Sequence, residues 1–342
     1  MSIVSEYDCK DTIISSLAVF DINNDGYSDI VLTDSIQKNI KIFFNSANGQ
    51  LGKEIIYSVR DSWISTATGD MNNDGYIDLI GTHSLSNCIS ILLNGGNGTF
   101  SHELNISVDH IVKDIDLVDF NNDTRLDILL IYSNTRTVFV LFNMPNLIFV
   151  NKQIYQLETI PNLIRIIDIN NDHLFDLVIS YRYGNFSIFV NKDNEGFVHH
   201  QTYVTKRFVH MMIIMDVNHD QYQDIIFGYS FTTLLVYLNE NKGIFRNDME
   251  YQLFLNDDSM SIVDVNNDGH VDVIIGYLDH PAISVFFNFG NGSFYPEHFL
   301  MQFYPRFVKE IDLNNDKQME VVFIADGSLK QSLCILSIYP WK

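Results

Sequence analysis

One nine-residue pattern occurs seven times in this chain at nearly constant spacing. The copies are DINNDGYSD from Asp21, DMNNDGYID from Asp70, DFNNDTRLD from Asp119 and DINNDHLFD from Asp168, then DVNHDQYQD from Asp216, DVNNDGHVD from Asp264 and DLNNDKQME from Asp312. Their first aspartates lie 49, 49, 49, 48, 48 and 48 residues apart, so seven units fill the 342 residues and leave no room for a second domain. Self-similarity at a period of roughly 20–50 residues marks a repeat architecture, in which each unit buries its apolar face against its neighbours.

Each unit reads as four short strands. An apolar segment ends at the first Asp (SLAVF, HMMIIM), and a second begins at the last acid of the pattern (DIVL, DILLI, DLVIS, DVIIG). A third follows (IKIFF, ISILLN, TVFVLFN, ISVFFN), then a turn and a fourth of alternating character such as FSHELNISV. The second strands are almost continuously apolar and rich in Val and Ile, as expected where both faces are covered. The chain offers no long amphipathic helix. Four-stranded units at this period predict an all-β seven-bladed β-propeller with antiparallel blades, one domain over residues 1–342. The seventh unit supplies only EVVFIA and LCILSIY after its first strand. Residues 1–8 precede Asp21 at the offset where FSHELNIS precedes Asp119, so the N-terminal segment is expected to close the last blade and cover its edge.

Within the loops, oxygen-bearing side chains fall at positions 1, 3, 5 and 9. They are Asp21, Asn23, Asp25 and Asp29; Asp70, Asn72, Asp74 and Asp78; Asp119, Asn121, Asp123 and Asp127; and Asp168, Asn170, Asp172 and Asp176. The last three loops carry Asp216, Asn218, Asp220 and Asp224; Asp264, Asn266, Asp268 and Asp272; and Asp312, Asn314, Asp316 and Glu320. A hard cation such as Ca²⁺ takes six to eight oxygens from carboxylates, amides, backbone carbonyls and water. Position 7 varies from Tyr27 to Arg125 to Gln318, so it offers a carbonyl rather than a chosen side chain. An EF-hand is excluded, because position 12 is a core-type residue such as Leu32, Ile179 or Phe323 instead of a bidentate Glu. Asp and Asn also stabilise turns through backbone amides without any metal. Three carboxylates converging seven times favour the cation. Up to seven Ca²⁺ are expected, first in the loops at Asp21, Asp70 and Asp264, which have Gly at position 6. The four loops with Thr124, His173, Gln221 or Lys317 there are expected to be strained or differently turned, and the seventh is the expected outlier.

The DxNxDGxxD loops, with hairpins such as NGGNGTF (Asn94–Phe100) and NFGNGSF (Asn288–Phe294), resemble the FG-GAP/VCBS repeat propellers, related to the integrin α-chain head. The resemblance covers essentially the whole chain, departing at NMPNLIF in the third hairpin and in the loops without Gly. It implies calcium bound between the first two strands of each blade, and an extracellular or cell-surface setting with an adhesive role. Sequons at Asn97, Asn105, Asn122, Asn185 and Asn291 permit that setting, although Asn122 lies inside a loop and is a poor acceptor.

Composition adds limits. Lys plus Arg total 21 against 43 for Asp plus Glu, a formal charge of −22, yet only 19% of residues are charged and 46% are hydrophobic. The loops hold 21 of the 43 acids; without them 22 acids face 21 bases, and seven divalent ions would bring −22 to −8. The acidity therefore belongs to the loops. Nucleic acid is not an expected partner, since polyanion binding needs clustered Lys and Arg. Three scattered cysteines (Cys9, Cys88, Cys334) form neither a disulfide framework nor a zinc site. The N-terminus lacks the pattern of a secretory signal, and no apolar run approaches a membrane span. A monomeric ring without membrane insertion is expected.

The loops opposite the metal face are richer in rings and cations: Trp63, Tyr132, Tyr229, Phe231, Tyr277, His280 and Arg306 among them. Such residues suit a protein or glycan ligand. The preferred patch is Tyr181, Arg182 and Tyr183 with Arg207 and Phe208. HExxH, Walker and GxSxG motifs are absent, and no catalytic residue is assigned. The alternatives are a carbohydrate lyase or hydrolase at the propeller mouth, where Asp114 and Lys309 are candidates, or a structural segment of a larger surface protein.

Overall fold

The computed structural model describes residues 2–9, 12–46, 49–83, 85–192, 196–205, 208–229, 232–254, 257–326 and 331–337. Every regular element among them is a strand. Each unit of the sequence becomes one four-stranded antiparallel sheet whose spatial order follows the chain. Blade one is Ile14–Phe20, Asp29–Asp34, Asn39–Phe43 and Ile55–Ser58. Blade three is Val112–Val118, Asp127–Tyr132, Thr137–Met144 and Ile148–Gln156, and blade four is Pro161–Ile167, Asp176–Tyr181, Asn185–Asn191 and Phe197–Val204. Blade seven departs as the sequence predicts. Ser2–Cys9 pairs antiparallel with Gln331–Ser337, placing Tyr7 opposite Leu333 and completing that sheet. The seven sheets are the blades of a β-propeller.

The Val/Ile-rich second strands are buried along their whole length in blades one, two, three, five and six. Their side chains alternate between two apolar layers, which explains a continuous apolar run where a half-exposed strand would alternate. The chain divides into two compact units: Met1–Thr66, Asn94–Glu103 and Leu253–Lys342 form one, Ala67–Leu93 and Leu104–Gln252 the other. Within the second unit, Ile128 and Leu130 pack with Ile80, Ile89 and Ile91. Leu129 and Ile131, one residue out of phase, pack with Ile164, Leu177 and Ile179. Within the first, Ile14, Ile30 and Leu32 meet Ile311, Val322 and Ile324.

The first strand of each sheet has one unpaired edge, and side chains of the preceding blade help to cover it. Asp114 Oδ2 accepts the Ile164 N–H at 2.9 Å and Asp116 Oδ2 the Ile166 N–H at 3.0 Å. Ser259 Oγ does the same for Val308 at 2.8 Å. Asp114 is also ion-paired with Arg165 at 2.9 Å, so its place in the molecule is a tie between two blades.

Blades six and seven come close at Gly276, a glycine of blade six's second strand. A Cβ on Gly276 would lie 2.5 Å from the Pro305 carbonyl oxygen and 2.8 Å from Val308 Cγ1. The first of these is backbone of the next blade and cannot swing aside. Gly276→Ala is therefore expected to lower unfolding free energy by about 1–3 kcal/mol, the usual cost of overpacking, measured by chemical denaturation. Wild-type stability in that variant would show that the blades are free to part.

Candidate functional site

All seven loops wind the same way. Position 4 has a positive φ in every one, from 56° at Asn267 to 61° at Asn24 and Asn315. Position 6 is positive as well: 88° at Gly26, 89° at Gly75 and 87° at Gly269, but also 72° at Thr124, 67° at His173, 74° at Gln221 and 66° at Lys317. The four loops without glycine thus keep the common turn with a left-handed side-chain-bearing residue, rather than adopting another turn. That conformation costs roughly 1 kcal/mol or more for such residues.

The turn is held by the acids themselves. In the first loop the Asp25 N–H donates to Asp21 Oδ1 and to Asn23 Oδ1, both at 3.1 Å, and the Gly26 N–H donates to Asp21 Oδ2 at 2.7 Å. The Tyr27 N–H reaches Asp25 Oδ1 at 3.0 Å, while Asn23 Nδ2 donates to Asp25 Oδ2 at 2.9 Å. Equivalent bonds recur in the loops at Asp70, Asp216, Asp264 and Asp312.

Position 9 is different in kind. Asp29 is fully buried; its Oδ2 accepts the Ile22 N–H at 3.0 Å and its Oδ1 the Asn45 N–H at 2.8 Å. Asp127, Asp176, Asp224 and Asp272 repeat both bonds, and Glu320 keeps the first, to Leu313 at 3.1 Å. Burial pushes the Asp29 carboxyl up to about 6 and that of Asp176 to about 7. The two backbone N–H groups pull the other way, and the carboxylates at positions 5 and 1 push up further.

The donors at positions 1, 3, 5 and 9 are hard oxygens, the set a Ca²⁺-type cation takes. Among the described residues no group of three or more His, Cys, Asp or Glu side chains is arranged as a metal site. One acceptor is nevertheless left over: Asn170 Oδ1 in the fourth loop is buried with no hydrogen-bond partner. The chemistry fits a cation there. The third loop has an internal answer, because the Arg125 guanidinium bonds Asp123 Oδ2 and donates through Nε to the Asn143 carbonyl at 2.6 Å.

Two sets of asparagines outside the expected ligands link the loops. Asn73 Nδ2 donates to the Thr124 carbonyl at 2.7 Å and Asn171 Nδ2 to that of Gln221 at 2.9 Å, joining position 4 of one loop to position 6 of the next. The Asn ending the third strand reaches back to position 2 of the previous blade: Asn94 to Ile22 and Asn143 to Met71, each at 2.7 Å, and Asn239 to Ile169 at 2.9 Å. The sequence signal was the recurrent terminal Asn of ILLN, LFN and FFN.

At the opposite end of the blades the expected ring-bearing residues divide. Trp63, Tyr132, Tyr229 and Tyr277 are buried at 0–1% exposure and belong to the core. Tyr132, Tyr229 and Tyr277 close the second strand; Tyr132 and Tyr229 join apolar clusters shared by two blades, Tyr277 packs against Phe254 and His280, and Trp63 opens the first strand of blade two. Tyr181 is half-buried and Phe208 lies near His210, while Arg182 is exposed and Tyr183 is 82% exposed. Arg207 and Phe231 fall outside the described residues. Arg306 lies over the Phe307 ring and pairs with Asp326 at 3.4 Å.

A sequence model described as the FG-GAP-like repeat matches residues 21–81, 70–130 and 264–323. No curated protein sequence matches the chain. Among solved structures, BBS1N in complex with ARL6DN and soaked with lead superposes with a TM-score of 0.69 at 11% identity, covering 100% of this chain and 96% of that one. The mercury-soaked form gives 0.67 at 10% identity, with 98% of each chain covered. An Agrocybe aegerita lectin specific for non-reducing terminal N-acetylglucosamine gives 0.59 at 15% identity, covering 88% of this chain and 81% of that one. These likenesses establish the fold.

The loop geometry yields a paired test. Nothing lies within 4 Å of a Cβ built on Gly26, so Gly26→Ala carries the cost of the left-handed backbone alone. It should destabilise, and Thr124→Gly should stabilise, each by about 1 kcal/mol. Equal signs in thermal unfolding would show that position 6 does not govern the turn.

Proposed function

This chain is an FG-GAP-like repeat β-propeller, and from that premise we propose that it is a calcium-stabilised recognition module for a protein or glycan. The motif loops occupy one end of the blades, and the turns joining second to third strands present the recognition surface at the other. The observation that carries the recognition half is the exposed pair Arg182 and Tyr183 in blade four, with the Tyr183 ring 82% exposed. A rigid ring beside a guanidinium offers contact area with little ordering cost. Structures of the same fold were solved with a protein partner and for recognition of a sugar, which supports a recognition role. An adhesive, cell-surface setting is the context this reading implies.

For the metal half, the support is the sevenfold placement of three acids per loop and the partnerless Asn170 Oδ1. Asp21, Asn23, Asp25 and Asp29, with their counterparts, would hold the ions, which supply positive charge where the loops concentrate carboxylates. The loops at Asp21, Asp70 and Asp264 should fill first. The third should fill last, since Arg125 already neutralises Asp123.

A ligand that binds only the folded state raises stability by mass action. The unfolding midpoint should therefore rise in millimolar calcium relative to chelator, and an unchanged midpoint removes the metal half. For recognition, the interaction found by screening glycans and proteins against the intact chain should weaken about tenfold or more in Arg182→Ala and in Tyr183→Ala, the scale of an interface hot spot. Full binding by both variants assigns the partner to another surface.

A further inference from the structure

Between blades three and four, at the end away from the motif loops, lies a cleft of about 250 Å³ that the loop chemistry does not use and that Tyr181, but neither Arg182 nor Tyr183, lines. One side is the chain around Tyr155 and Glu158, where blade three passes into blade four; the other is formed by blade four's second, third and fourth strands. It is smaller than the roughly 300–1,000 Å³ of pockets for drug-sized ligands, so it has room for one ring and not for a chain.

The lining has an apolar wall and a polar rim. Tyr155 and Phe189 meet edge to face, with centroids 4.7 Å apart at 61°. Across from them runs a connected series of hydroxyls. Tyr181 bonds Ser187, Ser187 Oγ lies 2.6 Å from Thr202 Oγ1, and that oxygen lies 2.8 Å from His199 Nε2. This series fixes the rim in place. Burial raises the Tyr181 hydroxyl's pKa, and the negative charge of nearby Glu158 adds to the effect.

The rim groups without a hydrogen-bond partner among the described residues include the Glu158 carboxylate, on an exposed residue, and the half-buried Asn185 amide. The first only accepts hydrogen bonds; the second both donates and accepts. No Lys or Arg is among the described lining residues, which disfavours phosphate or carboxylate ligands. What remains is a neutral ring with an apolar face and an edge of hydroxyls.

We propose that this cleft is a saccharide subsite for a single neutral pyranose ring. The C–H face of the sugar lies on the wall formed by Tyr155 and Phe189, one ring hydroxyl donates to Glu158, and its neighbour pairs with Asn185. The subsite rests on the reading of the chain as a recognition module and gives that reading a chemical class of ligand and a place separate from Arg182 and Tyr183.

The test uses the full chain from a host that leaves the Asn185 sequon unmodified. Saturation-transfer NMR with millimolar neutral hexoses and N-acetylhexosamines should show transfer to the C–H protons of at least one sugar. Glu158→Gln and Asn185→Ala should each weaken that binding about tenfold, as expected when one partner of a recognised hydroxyl is lost. Their unfolding midpoints report whether the fold is intact; Glu158 is exposed, so Glu158→Gln is expected to melt as wild type. Transfer to no sugar, transfer unchanged in both variants, or binding of tetramethylammonium in place of sugar overturns the subsite. If sugar binding fails while a partner still depends on Arg182 and Tyr183, the subsite falls and the module stands.

Discussion

In six blades the ninth loop residue is an aspartate with no solvent exposure, and its Oδ2 accepts the backbone N–H of position 2. In five of them Oδ1 also accepts the N–H of the asparagine at or near the end of the third strand. A carboxylate is costly to bury unless its oxygens are paired, and charge-assisted bonds to backbone amides are among the stronger compensations. An asparagine could not replace it, because its NH₂ would face one of the two N–H donors. This one side chain therefore holds the motif loop, the start of the second strand and the hairpin in fixed relation. The hairpin asparagine passes that relation to the neighbouring blade through the carbonyl at position 2.

The remaining loop acids do separate work. Positions 1 and 5 receive amides of the loop itself, which stabilises the turn but leaves acids crowded within nine residues. Some positive partner is favoured, and the third loop shows what one does: Arg125 bonds Asp123 and reaches across to the hairpin carbonyl of Asn143. A protein cation fixed in the third loop meets that electrostatic need from within the chain. The charge of −22 is the sum of that need over the repeats, which is why it says little about the surface at the other end of the blades.

Much of this was legible in the sequence because a repeat states its own variation. Spacing set the blades, and apolar runs after position 9 set the buried second strands. The offset of residues 1–8 placed the N-terminal strand beside Gln331–Ser337. The failures share a cause. Tyr132, Tyr229 and Tyr277 stand where a strand gives way to a turn, and a one-residue difference in the pleat decides between core and surface. Variation at position 7 concealed Arg125, whose side chain matters in one loop only. The cleft at Glu158 draws on several segments of blades three and four with no shared period, so no spacing announces it.

That contrast extends to where specificity can arise in such a fold. Blades two, four and six each place a serine of the third strand in a polar relay. In blade two His83 Nε2 and Ser90 Oγ are 2.9 Å apart, and Ser90 donates to Asn105 at 2.7 Å. In blade six Ser284 Oγ lies 2.7 Å from both Tyr277 Oη and His298 Nδ1. Blade three fills the corresponding region with Tyr132 against Phe139, at a 4.9 Å centroid distance. His83 and Tyr277 are buried, so their relays are satisfied internally; Tyr181 is only half-buried, and its relay borders the cleft. The loop carboxylates repeat because every blade needs the same clamp. This slot is free to differ, and recognition can develop in one blade without disturbing the bonds that hold the other six.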